Sequence, residues 1–75
     1  MTLDLLGPGA MARVVCLHLD DTTRRRVAAF GLLENADLRL MRRAAFGGPL
    51  VLAIGTTQFL LRQSLARQIE VEVRS

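Results

Sequence analysis

The sequence predicts a small, mainly β domain in which five short strands close into a barrel, with one or two short helices between them. Two patterns and a size limit carry this reading. Apolar and polar residues alternate over short segments, and Gly, Pro and Asn interrupt the chain between them. The chain has 75 residues, read as one domain over 1–75, and strands this short bury an inner face only if the sheet curls on itself. A domain of this size buries only about 60% of the surface its unfolded chain exposes, so almost every apolar side chain has to join one core. Hydrophobic residues make up 51% of the sequence, rich in Leu and Val, and supply that core.

Gly7, Pro8 and Gly9 break the chain first. Arg13 to Leu19 then reads as a strand with Val15, Leu17 and Leu19 inward and Val14, Cys16 and His18 on the other face. Asp20, Asp21 and Thr22 offer helix N-caps, and Thr23 to Phe30 has helical spacing, with Val27 and Phe30 three apart on one face. Gly31, just past the last periodic residue, suits a left-handed helix end. Ala36, Leu38 and Leu40 alternate with Asp37, Arg39 and Met41, so Ala36 to Arg43 is a second strand. Phe46 to Pro49 is a turn, Leu50 to Ile54 a third strand, Gly55 to Thr57 a tight turn, and Gln58 to Arg62 a fourth strand antiparallel to the third. Ser64 is placed to cap a single helical turn through Gln68, and Ile69, Val71 and Val73 alternate with Glu70, Glu72 and Arg74 in a terminal strand.

The charge balance, +3 with Arg as the only cation besides the lone His, is a modest excess. Arg24, Arg25 and Arg26 form a basic flank, but with no Tyr or Trp for base stacking the sequence argues against a nucleic-acid partner. Cys16 is the single cysteine and cannot form an internal disulfide, which points to a reducing, cytoplasmic setting. Met1 to Leu6 carries an acid and no basic stretch, and the longest apolar run, Leu50 to Ile54, falls far short of the about 18 residues a membrane span requires.

Catalysis finds no support, since there is no paired carboxylate in an apolar setting and no phosphate loop, and Cys16 and His18, a thiol and an imidazole two apart on a strand, point the same way without a shaped cleft. On a strand, Cys16, His18 and Asp20 would lie along one face about 6.6 Å apart per two residues, a set of a thiolate, an imidazole and a carboxylate suited to a divalent transition ion. Three ligands in line do not close a tetrahedral shell, so a weak or adventitious ion is expected there and no resident cofactor. The stronger signal is surplus apolar surface. Both faces of Leu50 to Ile54 are hydrophobic although a small barrel has one interior, so the outer face, at Val51, needs a cover. Leu32, Leu33, Met41, Phe46 and Leu60 would extend the same surface into a partner-binding patch, and the alternative cover is the short helices themselves.

Taken in order, Leu3, Leu6, Pro8 and Gly9, then Arg26, Val27, Phe30, Gly31 and Leu32, then Ala45 to Pro49, and finally Leu60, Leu61, Arg62, Leu65, Ala66, Ile69 and Val71 resemble the FeoA family of small bacterial proteins accessory to ferrous iron transport. Glu34-Asn35 departs from the family's usual Pro-Gly turn, although Asn tolerates a left-handed backbone best among non-glycine residues. Leu65 also stands where a charged residue often precedes the alanine. The resemblance implies an SH3-like barrel that is not an enzyme. It also implies docking on the cytoplasmic side of FeoB, the membrane ferrous iron transporter with a GTP-binding domain, and modulation of transport or GTP hydrolysis. The alternative it implies is a regulatory transition-metal-binding module similar to the C-terminal barrel of iron-dependent repressors.

Overall fold

The computed structural model describes residues 1–74. After a short 3-10 turn, Leu3–Leu5, come β1 (Met11–Leu17), α1 (Asp21–Ala28), β2 (Asp37–Arg43), β3 (Leu50–Ile54), β4 (Thr57–Leu61), α2 (Gln63–Ala66) and β5 (Ile69–Arg74). The strands form one antiparallel sheet in the order β4-β3-β2-β1-β5. A flat sheet is a layer about 10 Å deep. The extents of 28 × 27 × 24 Å are instead nearly equal, so the sheet is curled around its own inner face, without β4 and β5 joining to close the ring.

That inner face is the core. Ala12, Val14 and Leu17 from β1, Leu38 and Leu40 from β2, Leu50 and Leu52 from β3, Phe59 and Leu61 from β4, and Ile69 and Val71 from β5 are all buried. The expected alternation holds in β2, β3 and β4, and in β5 as far as Val71, while Val73 at its end is exposed. In β1 it is corrected. Val14 pairs with Val71 and Cys16 with Glu70, so Val15 is an extra residue in a β-bulge. The bulge puts Val14 in the core and leaves Val15 exposed, then restores Leu17 and Leu19 to the inside. A second bulge sets Met41 between Leu40 and Arg42. It turns Arg43 inward, where its guanidinium donates to the carbonyl oxygens of Asp4 and Leu6 and ties the first turn to the sheet.

The helices follow from their ends. Asp20 caps α1, its carboxylate accepting the Thr23 amide at 3.0 Å. Beyond Ala28 the chain makes one more turn, and the Gly31 amide donates to Ala28 while the Leu32 amide donates to Val27, a Schellman closure around Gly31 at φ +90°. Ser64 does not cap α2. It lies inside the helix, whose N-cap position is Arg62 without a side-chain bond, because the fourth strand ends one residue early, at Leu61. Asn35 takes φ +70°, the left-handed conformation expected at the Glu34-Asn35 turn, and its amide donates to Val14 at 2.8 Å.

Candidate docking site

The outer face of β3 is organised by strand register. Arg42, Val51 and Leu60 form one cross-strand row, and Arg39, Ala53 and Gln58 the next. Val51 and Ala53 are half-buried beside these neighbours. Both helices sit on the core side instead: Val27 and Ala66 are buried, and the Phe30 ring stacks on Phe59 with centroids 4.9 Å apart. Of the residues expected to form a partner-binding patch, Val51 and Leu60 are adjacent and Met41 stands at the neighbouring bulge. Leu32 is corrected: it is 0% exposed, drawn into the core by the Schellman closure that joins its amide to Val27. Leu33, on the loop that follows, is half exposed.

Phe46 stands at the tip of the β2–β3 loop, 106% exposed and at φ +57°. A bulky side chain in the left-handed region is strained, and here no burial offsets that strain. The loop is held from below, since the Ala44 amide donates to Pro49 and the Gln63 side chain of α2 donates to the Gly48 carbonyl.

The basic flank is divided by the fold. The Arg24 guanidinium donates to the carbonyl oxygens of Leu17 and Leu19 at 3.1 and 3.4 Å, bracing α1 against the end of β1. Arg25 is solvated. Arg26 joins Arg62 on the walls of a groove between α1, β4 and α2, floored by Val27, Phe30, Phe59 and Leu65. Sequence reasoning missed this groove. Its liners are scattered over three elements, and the only hint is that Phe30 and Phe59 are two of three aromatics in the chain.

The three metal-ligand candidates are not assembled. The Cys16 sulfur lies 3.9 Å from His18 Nδ1, and His18 Nε2 lies 3.6 Å from a Glu70 carboxylate oxygen. Asp20 is turned away, because the strand ends at Leu17 and the carboxylate is committed to the N-cap of α1. Hydrogen bonds from the side chain and amide of Thr23 hold Asp20 below the usual carboxylate range. Among the described residues no group of three or more His, Cys, Asp or Glu is arranged to hold an ion.

A curled five-stranded sheet with short helices over its open side and an inner face filled with aliphatic side chains defines a small SH3-like barrel. Residues 1–73 match the FeoA domain model, and the chain belongs to that family. It is 27% identical, over 97% of its length and 99% of the relative's, to a protein of Campylobacter jejuni subsp. jejuni provisionally named Fe(2+) transport protein A. The solution structure of FeoA from Chlorobium tepidum superposes with a TM-score of 0.93 at 28% identity, covering 100% of this chain and 71% of that one. The crystal structure of Stenotrophomonas maltophilia FeoA complexed with zinc, described as a prokaryotic SH3 domain protein, has a TM-score of 0.76 at 32% identity, covering 96% and 89%. No helix among the described residues is long and apolar enough to cross a membrane.

Proposed function

We propose that this chain is a non-catalytic, cytoplasmic accessory of bacterial ferrous iron uptake that docks on the cytoplasmic side of a FeoB transporter and modulates its transport or GTP hydrolysis. Family membership supplies the system. The observation that carries docking is Phe46, a fully exposed aromatic held at an unfavourable φ by an anchored loop. Such a side chain contributes nothing to the core, and an exposed aromatic on an anchored loop is the kind of group that a partner's pocket desolvates. Leu60, 67% exposed beside Val51, adds apolar surface on the outer row of the sheet.

The test uses Phe46→Asn, since Asn adopts the left-handed conformation more readily. The variant should melt at or above the wild-type temperature. It should also fail to be captured by the purified cytosolic domain of the transporter, and fail to restore growth on limiting ferrous iron. Wild-type protein that shows no affinity for that domain, or a variant that restores growth fully, would count against the reading. The alternative, a regulatory transition-metal-binding module, has less support, because among the described residues Asp20 does not converge with Cys16 and His18.

A further inference from the structure

The two edges of the sheet are finished differently. Along β5 the N-terminal segment covers the edge: the Val71 amide donates to the Met1 carbonyl at 2.8 Å, the Met1 ammonium donates to the Val71 carbonyl at 3.3 Å, and Thr2 bridges Glu70. Among the described residues the edge of β4 has no such cover. In the β3–β4 hairpin the two-residue turn makes Ile54 and Thr57 a hydrogen-bonded pair. The alternation of an antiparallel ladder then makes Leu52–Phe59 and Leu50–Leu61 hydrogen-bonded pairs as well. Gln58 and Leu60 therefore point their N–H and C=O groups away from β3, and among the described residues no backbone bond from outside the ladder reaches them.

The groove between α1, β4 and α2 borders this bare edge. Its floor is apolar, Arg26 and Arg62 stand on its walls, and no carboxylate among the described residues lines it. Neither arginine makes an ion pair among the described residues. Unpaired backbone donors and acceptors, an apolar floor and two guanidiniums without an ion pair select the same kind of ligand: an extended chain with an aliphatic side chain between acidic ones.

We infer that the free edge of β4 takes an extended acidic segment of a partner protein as a sixth strand, pairing with the backbone of Gln58 and Leu60, with an aliphatic side chain in the groove and carboxylates on Arg26 and Arg62. The inference rests on the docking reading and gives its partner a chemistry. A second copy of this chain is the poorer occupant, because its own β4, Thr57 to Leu61, carries no acid to meet Arg26 and Arg62.

Two probes separate this inference from docking itself: the purified cytosolic domain of the transporter, and a synthetic peptide of alternating acidic and aliphatic residues, Asp-Leu-Glu-Val-Asp-Leu-Glu. On binding either probe, hydrogen exchange at the Gln58 and Leu60 amides should slow. Gln58→Pro removes an outward-facing N–H at an edge position where proline is tolerated, and the double variant Arg26→Glu, Arg62→Glu reverses the groove's charge. Each should weaken binding by about tenfold or more while leaving the melting temperature close to wild type. Should Gln58→Pro fail to fold, a peptide N-methylated at alternate amides tests the same bonds on unaltered protein and should not bind. Capture of the transporter domain with the two amides unprotected and the charge-reversed variant binding at full strength would overturn the strand-addition inference and leave docking standing. Peptide binding with protection, but no affinity for the transporter domain, would keep the edge site and refute the docking reading. Concentration-dependent dimerisation that Gln58→Pro abolishes would assign the edge to a second copy and overturn the inference.

Discussion

At Gly31 the backbone stands at φ +90°, and a Cβ placed there would meet Ile54 Cγ2 at 3.2 Å. The Gly31→Val substitution adds a branched side chain to both problems and should cost at least about 1 to 2 kcal/mol, a large share of the stability of so small a domain. Gly55, at φ +59° with open space around it, sets the first position of the β3–β4 turn, and Gly55→Ala should shift the urea midpoint less than Gly31→Val does. An unchanged midpoint for Gly31→Val would mean that the helix does not end in the closure described. Asp20 is a second single-residue determinant. Its folded pKa is lowered by Thr23, so its contribution is present above the ordinary carboxylate pKa and is lost as pH falls through the depressed value. Thermal melts from neutral pH down should therefore show an acid-side loss that is smaller in Asp20→Ala, a variant already less stable at neutral pH.

The strands show what alternation can and cannot reveal. In β3, Leu50 and Leu52 face in and Val51 faces out beside Arg42, as their spacing implies, so Val51→Glu should cost under about 1 kcal/mol in folding because the new carboxylate lies across from a guanidinium. Leu52→Glu should unfold the domain, since an unpaired charge in the core costs several kcal/mol. Circular dichroism melts of the two variants check the parity, and an unfolded Val51→Glu would reverse it. In β1 the pattern was illegible at Val14 and Val15. Both are apolar and β-branched, so a period of two fits either face until the bulge, a property of the pairing with β5, decides. Leu32 was misread for a related reason: the apolar pair after Gly31 offers one core residue and one surface residue, and only the direction of the turn separates them. The groove could not be read at all, because Arg26, Phe30, Phe59 and Arg62 become neighbours only after α1 is laid beside β4.

Across the whole molecule, strand order carries a consequence for how the protein reaches its native state. The hairpin of β3 and β4 and its pairing with β2 join residues near in sequence, whereas nearly the whole chain separates Met11 from its partner Arg74 in β5. Bringing distant segments together exacts its entropic cost before the contacts form, so topologies rich in such pairings fold slowly for their size. The β2–β4 meander is therefore expected to form first, and the β1–β5 ladder to close after the main barrier. Val71→Ala should then speed unfolding with little effect on the refolding rate, and Leu52→Ala should slow refolding, in stopped-flow chevrons of both variants. Until that ladder closes, the inner edge of β1 and the apolar side chains of Val14 and Leu17 stand open to solvent. The vulnerable interval for aggregation during synthesis thus lasts until the final strand has left the ribosome, and a nascent chain stalled before Ile69 would be a substrate for chaperones.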